Sequence, residues 1–194
     1  MTAETDQSRR DLLRTFVIGG SGLVVGGIVG FTVAKVTESN QKENGGEQEE
    51  KFVELDLEYA LSLAELVNQE RQKNNLPLVS EHPRLILGAV KNAIFLANVD
   101  FPNAPVGVSS PSRETRIRET GYQLPADGNT GETVAVVEGN VSPQEVFGLL
   151  LADPLIKEAI LHPDFKFFGS AAINLGNKIF YSQYLATEPQ EKLS

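Results

Sequence analysis

An uncharged run near the N-terminus limits what the rest of this chain can fold into. Residues 15–34 read TFVIGGSGLVVGGIVGFTVA, and the next charged residue is Lys35. A helix of about 20 residues is long enough to cross a bilayer, because each residue adds about 1.5 Å. We interpret the run as one N-terminal hydrophobic helix, either a signal sequence or a membrane anchor. The globular fold must come from the residues that follow.

The residues before this run resemble a twin-arginine export signal. Residues 8–14 read SRRDLLR, so Arg9 and Arg10 are followed by an acid, two leucines and then Arg14. A chance arginine pair before an ordinary anchor is the alternative interpretation. Basic residues before the segment and acidic residues after it favour a cytoplasmic N-terminus. We therefore expect residues 1–36 to be a signal or anchor, residues 15–36 to associate with a membrane, and the domain to be extracytoplasmic, in a periplasm or lumen-like space. A marginal small-residue cleavage motif leaves both removal and retention open.

The rest of the chain divides by composition into three parts. Residues 37–51 contain no apolar residue, so they cannot join a core and are interpreted as a disordered acidic linker. Residues 52–187 are long enough to bury a core of their own and are predicted to form one domain. Residues 188–194 are polar and are predicted to be a flexible tail.

Charge and cysteine content exclude several classes of function. The chain has 26 acidic and 17 basic residues, a formal charge of -9, which disfavours a nucleic-acid partner. It has no cysteine, which removes disulfides, thiolate nucleophiles and cysteine-based metal centres. The sequence also lacks a P-loop and a G-x-S-x-G elbow. We expect no cofactor and no catalytic residue of these kinds.

Hydrophobic periodicity and turn signals indicate a mixed α and β domain. Apolar residues at helical spacing predict a helix that ends near Asn74, and an alanine-rich helix that begins after Ser80. Ser142 opens a capping box with proline at the first helical position, and Asp153 repeats the start signal. Two β-rich runs separated by a turn at Gly176 predict a closing hairpin.

The stretch 112–137 carries the best candidate site. Ser112 is a helix N-cap, Gly121 suits the helix end, and an apolar strand follows that is entered through Glu132. A carboxylate at the mouth of a buried strand is costly unless it is paired or solvated. Mixed charges on the short helix usually mark a solvated face. The alternative is that Arg116 turns inward to hold the loop that leads to Glu132.

The two histidines offer little chemistry. His82 and His162 are each followed by proline, which pushes the preceding residue toward extended conformations, so both are predicted to lie in turns. A metal site built on both would need a carboxylate and convergence in space. Two histidines in surface turns are the simpler interpretation, and we predict no metal site.

Asn68 and Arg71 form an N-x-x-R motif on the first predicted helix, and Gly131 and Glu132 begin a G-E-T motif at the predicted strand. The order of these motifs and of the predicted elements resembles the CAP superfamily (the SCP, or cysteine-rich secretory and pathogenesis-related-1, domain) in its cysteine-free bacterial form. The likeness extends over about residues 60–186 and implies an α/β fold, a three-layer α/β/α sandwich. Thr133 replaces the Asn of the family's G-E-N, and Lys157 replaces an Arg. The residues that carry the resemblance are Asn68, Arg71, Leu76, Leu78, Arg116, Gly121, Tyr122, Gly131, Glu132, Ile160, Leu161 and Gly169.

The resemblance also implies a cavity, with differences from the family pattern. Aligned on the family's motifs, Asn103 and Ile156 stand where its two cavity histidines belong, and Glu132 keeps the acidic position. Glu114 or Glu119 could supply a second acid. Isoleucine cannot bind a metal, so the three predicted ligand-binding residues Glu132, Asn103 and Ile156 imply a groove without a metal.

Three hypotheses of function follow. The first is a non-catalytic binding module for a lipid, a small apolar ligand or a protein partner. The second is a hydrolase of envelope polymers or peptides in which Glu132 is the general base and His162 assists. The third is a scaffold subunit with a membrane-protein partner, in which the glycine-rich helix matters more than the groove.

Overall fold

The computed structural model describes most of the predicted domain and short parts of the N-terminal region. The chain forms two compact units, one ending at Leu55 and the other beginning at Asp56. The predicted linker, residues 37–51, and Asn103 lie outside the described residues. The described residues are 25–28, 31–35, 52–99 and 112–190.

The first unit contains three antiparallel strands. Strand β1 (Val25–Ile28) pairs with β2 (Phe31–Lys35), and β2 pairs with β3 (Phe52–Leu55). Residues 25–28 and 31–35 are extended, and most of the predicted N-terminal helix, residues 15–34, lies outside the described residues. No helix within the described ranges is long and apolar enough to span a bilayer. The role of residues 15–36 as signal or anchor stays a prediction.

Helix α1 (Leu57–Lys73) opens the second unit and follows the predicted periodicity. The side chain of Asp56 accepts the backbone N–H of Tyr59 at 2.9 Å and so caps the helix. Asn74 is the C-cap, as predicted, and Asn75 takes a φ of 56°. This left-handed residue turns the chain away from the helix, which asparagine tolerates better than most residues.

The remaining elements confirm the order of parts expected from the sequence. Ser142 and Glu145 form the predicted reciprocal capping box, and Gly176 has a φ of +62° in the predicted hairpin turn. The elements are β4 (Ser80–Glu81), α2 (Pro83–Asn98), α3 (Arg113–Arg118), β5 (Thr130–Glu138), α4 (Pro143–Ala152), α5 (Pro154–Ile160), β6 (Phe167–Leu175) and β7 (Lys178–Ala186).

The sheet of the second unit has the order β4-β6-β7-β5. β4 runs parallel to β6, and the other neighbours are antiparallel. Because side chains alternate along a strand, each strand presents one set of residues to each face of this sheet. The closing hairpin β6–β7 therefore supplies the centre of the fold and contributes to both faces.

Helices cover the two faces of this sheet. On one face, α1, α4 and α5 pack through residues such as Leu63, Phe147 and Ile160 against the sheet residues Tyr181 and Leu185. α2 and α3 cover the other face. This arrangement confirms the predicted three-layer α/β/α sandwich.

A glycine allows one of these layers to come unusually close. A Cβ atom placed on Gly169 of β6 would lie 2.1 Å from the backbone N of Ile86 in α2. No larger residue fits this position without moving the helix. Helix α2 therefore rests directly on the backbone of β6.

Candidate functional site

Glu132 lies on β5 and faces the layer formed by α2 and α3. It pairs in register with Tyr184 of β7, and its side chain is 21% exposed. The neighbouring Gly131 points to the other face, where an added Cβ would meet Phe165 and Ala159. The acid thus sits at the border between the interior of the α2 layer and solvent.

The carboxylate of Glu132 is held by a guanidinium and an amide. The Nη2 atom of Arg116 donates to both carboxylate oxygens at 2.7 Å, and the Nδ2 atom of Asn92 donates to Oε1 at 3.0 Å. Arg116 therefore turns inward from α3, in agreement with the alternative interpretation of the sequence. Its side chain reaches Glu132 itself.

Two residues of β7 extend these contacts into the core. The Nε atom of Arg116 donates to the hydroxyl of Tyr184 at 2.7 Å, and Asn92 also donates to the hydroxyl of Ser182 at 3.0 Å. Tyr184 and Ser182 are fully buried. We call these five residues the Glu132 cluster, and it connects four elements: α2, α3, β5 and β7.

Electrostatics fix the charge states of two members of the cluster. Burial, reinforced by the negative charge of Glu132, raises the pKa of the Tyr184 phenol. Burial alone would lower the pKa of Arg116, but the hydrogen bond that Arg116 donates to Tyr184 and the negative charge of Glu132 outweigh it, and the net change in pKa is upward. Near neutral pH Arg116 is a cation and Tyr184 is a neutral phenol, so neither group exchanges protons there.

Local sequence positions α3 so that Arg116 can reach inward. The hydroxyl of Ser112 accepts the N–H of Thr115 at 3.2 Å and starts the helix as predicted. Gly121, with a φ of +85°, ends this segment. Arg118 then donates to the carbonyl of Leu124 at 2.9 Å and holds the following loop.

Sequence analysis missed the partners of Glu132 on α2 and β7. Asn92 is 4% exposed and lies seven residues after Leu85, within the apolar stripe of α2. A single amide on an apolar helix face needs a buried hydrogen-bond partner. The position of Asn92 in the sequence could therefore have indicated a buried polar contact. Tyr184 and Ser182 gave no such signal, because hydroxyl residues are common in strands.

Ile156 does not share a cavity with Glu132 in this structure. It lies on α5 and packs against the core on the α1 face of the sheet, whereas Glu132 contacts the α2 face. Asn103 lies outside the described residues, so its predicted role stays a prediction. Of the three residues predicted to bind a ligand, only Glu132 can be placed in the cluster.

Neither candidate for the second acid contacts Glu132. Glu114 accepts hydrogen bonds from Arg113 and from the hydroxyl of Thr130. A hydrogen bond from its own backbone N–H, with contributions from Thr130 and Arg113, lowers the pKa of Glu114 to about 2. Glu119 is an exposed C-cap of α3. Across the described ranges, no three His, Asp or Glu side chains converge as a metal site would require.

The histidines occupy the turns predicted for them and lie apart from the cluster. His82 is the N-cap of α2, and its Nδ1 accepts the N–H of Arg84 at 3.2 Å. His162 follows α5 and stacks on Phe165 with ring centroids 4.6 Å apart. Phe165 lies on the Gly131 side of the sheet, so His162 is on the face opposite Glu132.

Asn68 and Arg71 of the helix motif have structural contacts. Asn68 bonds both the N–H and the carbonyl of Val79, at 2.9 and 3.0 Å. Arg71 is fully buried and donates to the carbonyls of Pro77, Ile160, His162 and Phe165. Both residues fasten the loops around α1.

A shallow cleft of about 330 Å³ opens elsewhere on the second unit. It contains none of the residues predicted to bind a ligand. Its walls carry three carboxylates and one amine. The cleft is lined by Pro125, Asp127, Gly128, Asn129, Asp164, Lys166, Thr187 and Glu188.

Solved structures show the same arrangement of elements. No family model and no curated protein matches the sequence. An outer surface protein of Borrelia burgdorferi aligns with a TM-score of 0.56 and 20% identity over 68% of this chain and 94% of that one. A cysteine-rich secretory protein of Staphylococcus aureus aligns with a TM-score of 0.54 and 12% identity, over 79% of this chain and 44% of that one.

A third similar structure is that of an SCP-domain protein. An extracellular SCP-domain protein of Bacillus anthracis aligns with a TM-score of 0.52 and 12% identity, over 87% of this chain and 68% of that one. The fold is CAP-like. Identities this low establish the CAP-like architecture and leave activity to be argued from the residues of this chain.

Proposed function

We propose that this chain is an exported CAP-like domain that acts as a non-catalytic binding module for a lipid, a small apolar ligand or a protein partner. The observation that carries the proposal is the pairing of Glu132. Both of its oxygens already accept hydrogen bonds from Arg116, and one also accepts from Asn92. A general base needs an oxygen within reach of the proton that it removes.

The positions of the other titratable groups also favour binding over hydrolysis. His162, the assisting residue of the hydrolase hypothesis, lies on the opposite face of the sheet from Glu132. Arg116 and Tyr184 keep their charge states near neutral pH, as their raised pKa values require. The cluster therefore offers fixed polarity beside an apolar layer, which is typical of a recognition site.

A matched pair of glutamates on β5 tests the proposal. The full-length chain would be purified as wild type, Glu132→Gln and Glu138→Gln, and its organic extract examined by mass spectrometry. Glu138 is an exposed residue of the same strand. We expect Glu132→Gln to retain about tenfold less bound compound, because a neutral amide weakens the hydrogen bonds from Arg116 that hold the polar groups of the cluster in place, and a hydrogen bond to a charged group contributes about 1.5–3 kcal/mol. Glu138→Gln should match the wild type.

Two outcomes would contradict this proposal. Glu132→Gln could retain the same bound compounds as the wild type, which would remove Glu132 from recognition. It could instead lose its thermal unfolding transition, which would make the cluster a purely structural feature.

Export and tethering are supported by residues 15–36 and by similar structures described as outer surface or extracellular proteins. Mass spectrometry of the native N-terminus tests the tether. An intact N-terminus in the membrane fraction is expected for an anchor. An N-terminus beginning after Ala34 would indicate a cleaved signal instead.

A further inference from the structure

Helices α4 and α5 present a strip of apolar residues to solvent. Leu149 is 60% exposed and Leu155 is 76% exposed, and they are two of the three large apolar side chains classed as exposed in the described part of the chain. Gly148, Ala152 and Pro154 beside them are also exposed. We call these five residues the α4–α5 strip.

The core does not need this strip. Helix α4 already buries Val146, Phe147 and Leu150 against the sheet. A helix that covers a core on one side normally carries polar residues on the other, and a helix that is apolar all round is normally covered on both sides. The outer face of α4 and the start of α5 therefore have the composition of a contact surface.

The charges around the strip discriminate between possible occupants. Glu145, Asp153 and Glu158 are exposed at its borders, against a single exposed base, Lys157. Two copies of this chain would bring like charges together, and so would a bilayer with anionic head groups. A segment with basic residues beside an apolar face would complement both the leucines and the acids.

We propose that the α4–α5 strip docks a basic amphipathic helix of a protein partner. The leucines fill the apolar face of that helix, and the three bordering carboxylates pair with its Lys and Arg residues. The strip lies on the opposite side of the sheet from the Glu132 cluster. It is thus a second surface, and its test does not depend on the function proposed for Glu132.

Fluorescence polarisation with a synthetic peptide tests this surface. The probe is a Leu/Lys helix of about 18 residues with one apolar face, and a scrambled peptide of the same composition is the first control. On the full-length chain we expect Leu149→Ser and Leu155→Ser each to weaken binding roughly tenfold, as central contact residues do. Leu78→Ser, which alters a leucine that is 57% exposed outside the strip, should leave binding unchanged.

Charge reversal provides an independent arm of the test. Glu158→Lys should weaken binding several-fold and reduce its dependence on salt, because a complementary charge becomes a repelling one. Thermal unfolding should stay unchanged in all four variants, since the replaced side chains are exposed.

Three results would overturn the proposal. The scrambled peptide could bind as tightly as the amphipathic one, or the two strip variants could bind the probe like the wild type. The wild type could instead form a dimer, or sediment with neutral phosphatidylcholine vesicles, in a manner that depends on Leu155 while ignoring the peptide. That last result would assign the strip to self-association or to lipid.

Discussion

At the scale of single residues, Arg71 shows how a buried charged side chain can stabilise the packing of separate chain segments. Its guanidinium is fully buried and donates to four backbone carbonyls. Burial lowers the pKa of Arg71. These hydrogen bonds join α1 to the turn after it and to the segment between α5 and β6, so one side chain holds three parts of the chain in place.

Replacing Arg71 with methionine should destabilise the domain strongly. The change leaves all four backbone carbonyls without the donor that Arg71 provides, and one buried unsatisfied group costs about 1–3 kcal/mol. We expect the free energy of unfolding in urea to fall by about 3 kcal/mol or more. Lys73→Met, at a side chain that is 71% exposed on the same helix, is the control and should change little. Equal stability of the two variants would contradict the role assigned to Arg71.

His82 should make stability depend on pH. Burial, assisted by the charge of Arg84, lowers the pKa of His82 below its ordinary value of 6.5, and its Nδ1 must be unprotonated to accept the N–H of Arg84. The unfolded chain therefore binds a proton at higher pH than the folded chain. The stability contributed by neutral His82 is complete above about pH 6.5 and is lost as the pH falls below it.

Asparagine at this position isolates the effect. His82→Asn keeps an N-cap acceptor but does not titrate. Urea unfolding at about pH 7.5 and pH 5 should show a smaller loss of stability in this variant than in the wild type. The same loss in both proteins would show that His82 is not the group responsible.

Residue identity predicted the acid at the site but not its full set of partners. Glu132 stood out because a charge at the start of an apolar strand needs compensation, and Arg116 was weighed as an inward residue. Asn92 was missed because its helix was interpreted through its alanines and leucines. Tyr184 could not be assigned to Glu132, since strand register is decided by pairing across the sheet.

At the scale of elements, replacement by alanine is expected to have opposite effects on stability at two glycines. Gly169→Ala would place a Cβ 2.1 Å from the backbone of α2, so we expect a loss of roughly 3 kcal/mol or more through displacement of that helix. Gly148 lies inside α4 with open space around it, so Gly148→Ala should stabilise by up to about 1 kcal/mol. Thermal unfolding measures both. A destabilised Gly148→Ala protein would contradict the geometry of α4.

Local signals predicted where elements begin better than how far they extend. The capping box at Ser142 and the turn at Gly176 were predictable because both depend on a few adjacent residues. The sequence predicts an apolar strand that is entered through Glu132 and ends by residue 137, whereas β5 extends over Thr130–Glu138. The extra residues are strand because β7 provides a hydrogen-bonded partner along the whole length, and that partner is distant in sequence.

At the scale of the whole molecule, the layers were predicted through the order of motifs. What the order could not fix was the face on which each residue lies. Ile156 was aligned to a cavity position, yet α5 packs with α1, on the face of the sheet opposite Glu132. The face of the sheet on which a residue lies depends both on the alternation of side chains along the strands and on the side against which α5 packs. A short motif within a helix determines neither of these.

The second unit should fold without the N-terminal region. Residues from Asp56 onward form a compact unit with their own core. A chain that begins at Asp56 is expected to unfold in a single cooperative transition by heat and by urea, with coincident midpoints from circular dichroism and fluorescence. Separate transitions, or no transition, would show that the preceding residues are needed for the fold.

The buried Arg71 has a consequence for where this protein can mature. Its hydrogen bonds to backbone carbonyls join separate segments of the chain, and small extracellular domains often join such segments with disulfide bonds. The chain has no cysteine, so its folding consumes no oxidant for disulfide bonds and calls for no disulfide isomerase. It can finish folding in a reducing cytosol before any transport, and glutathione in its surroundings would leave it intact.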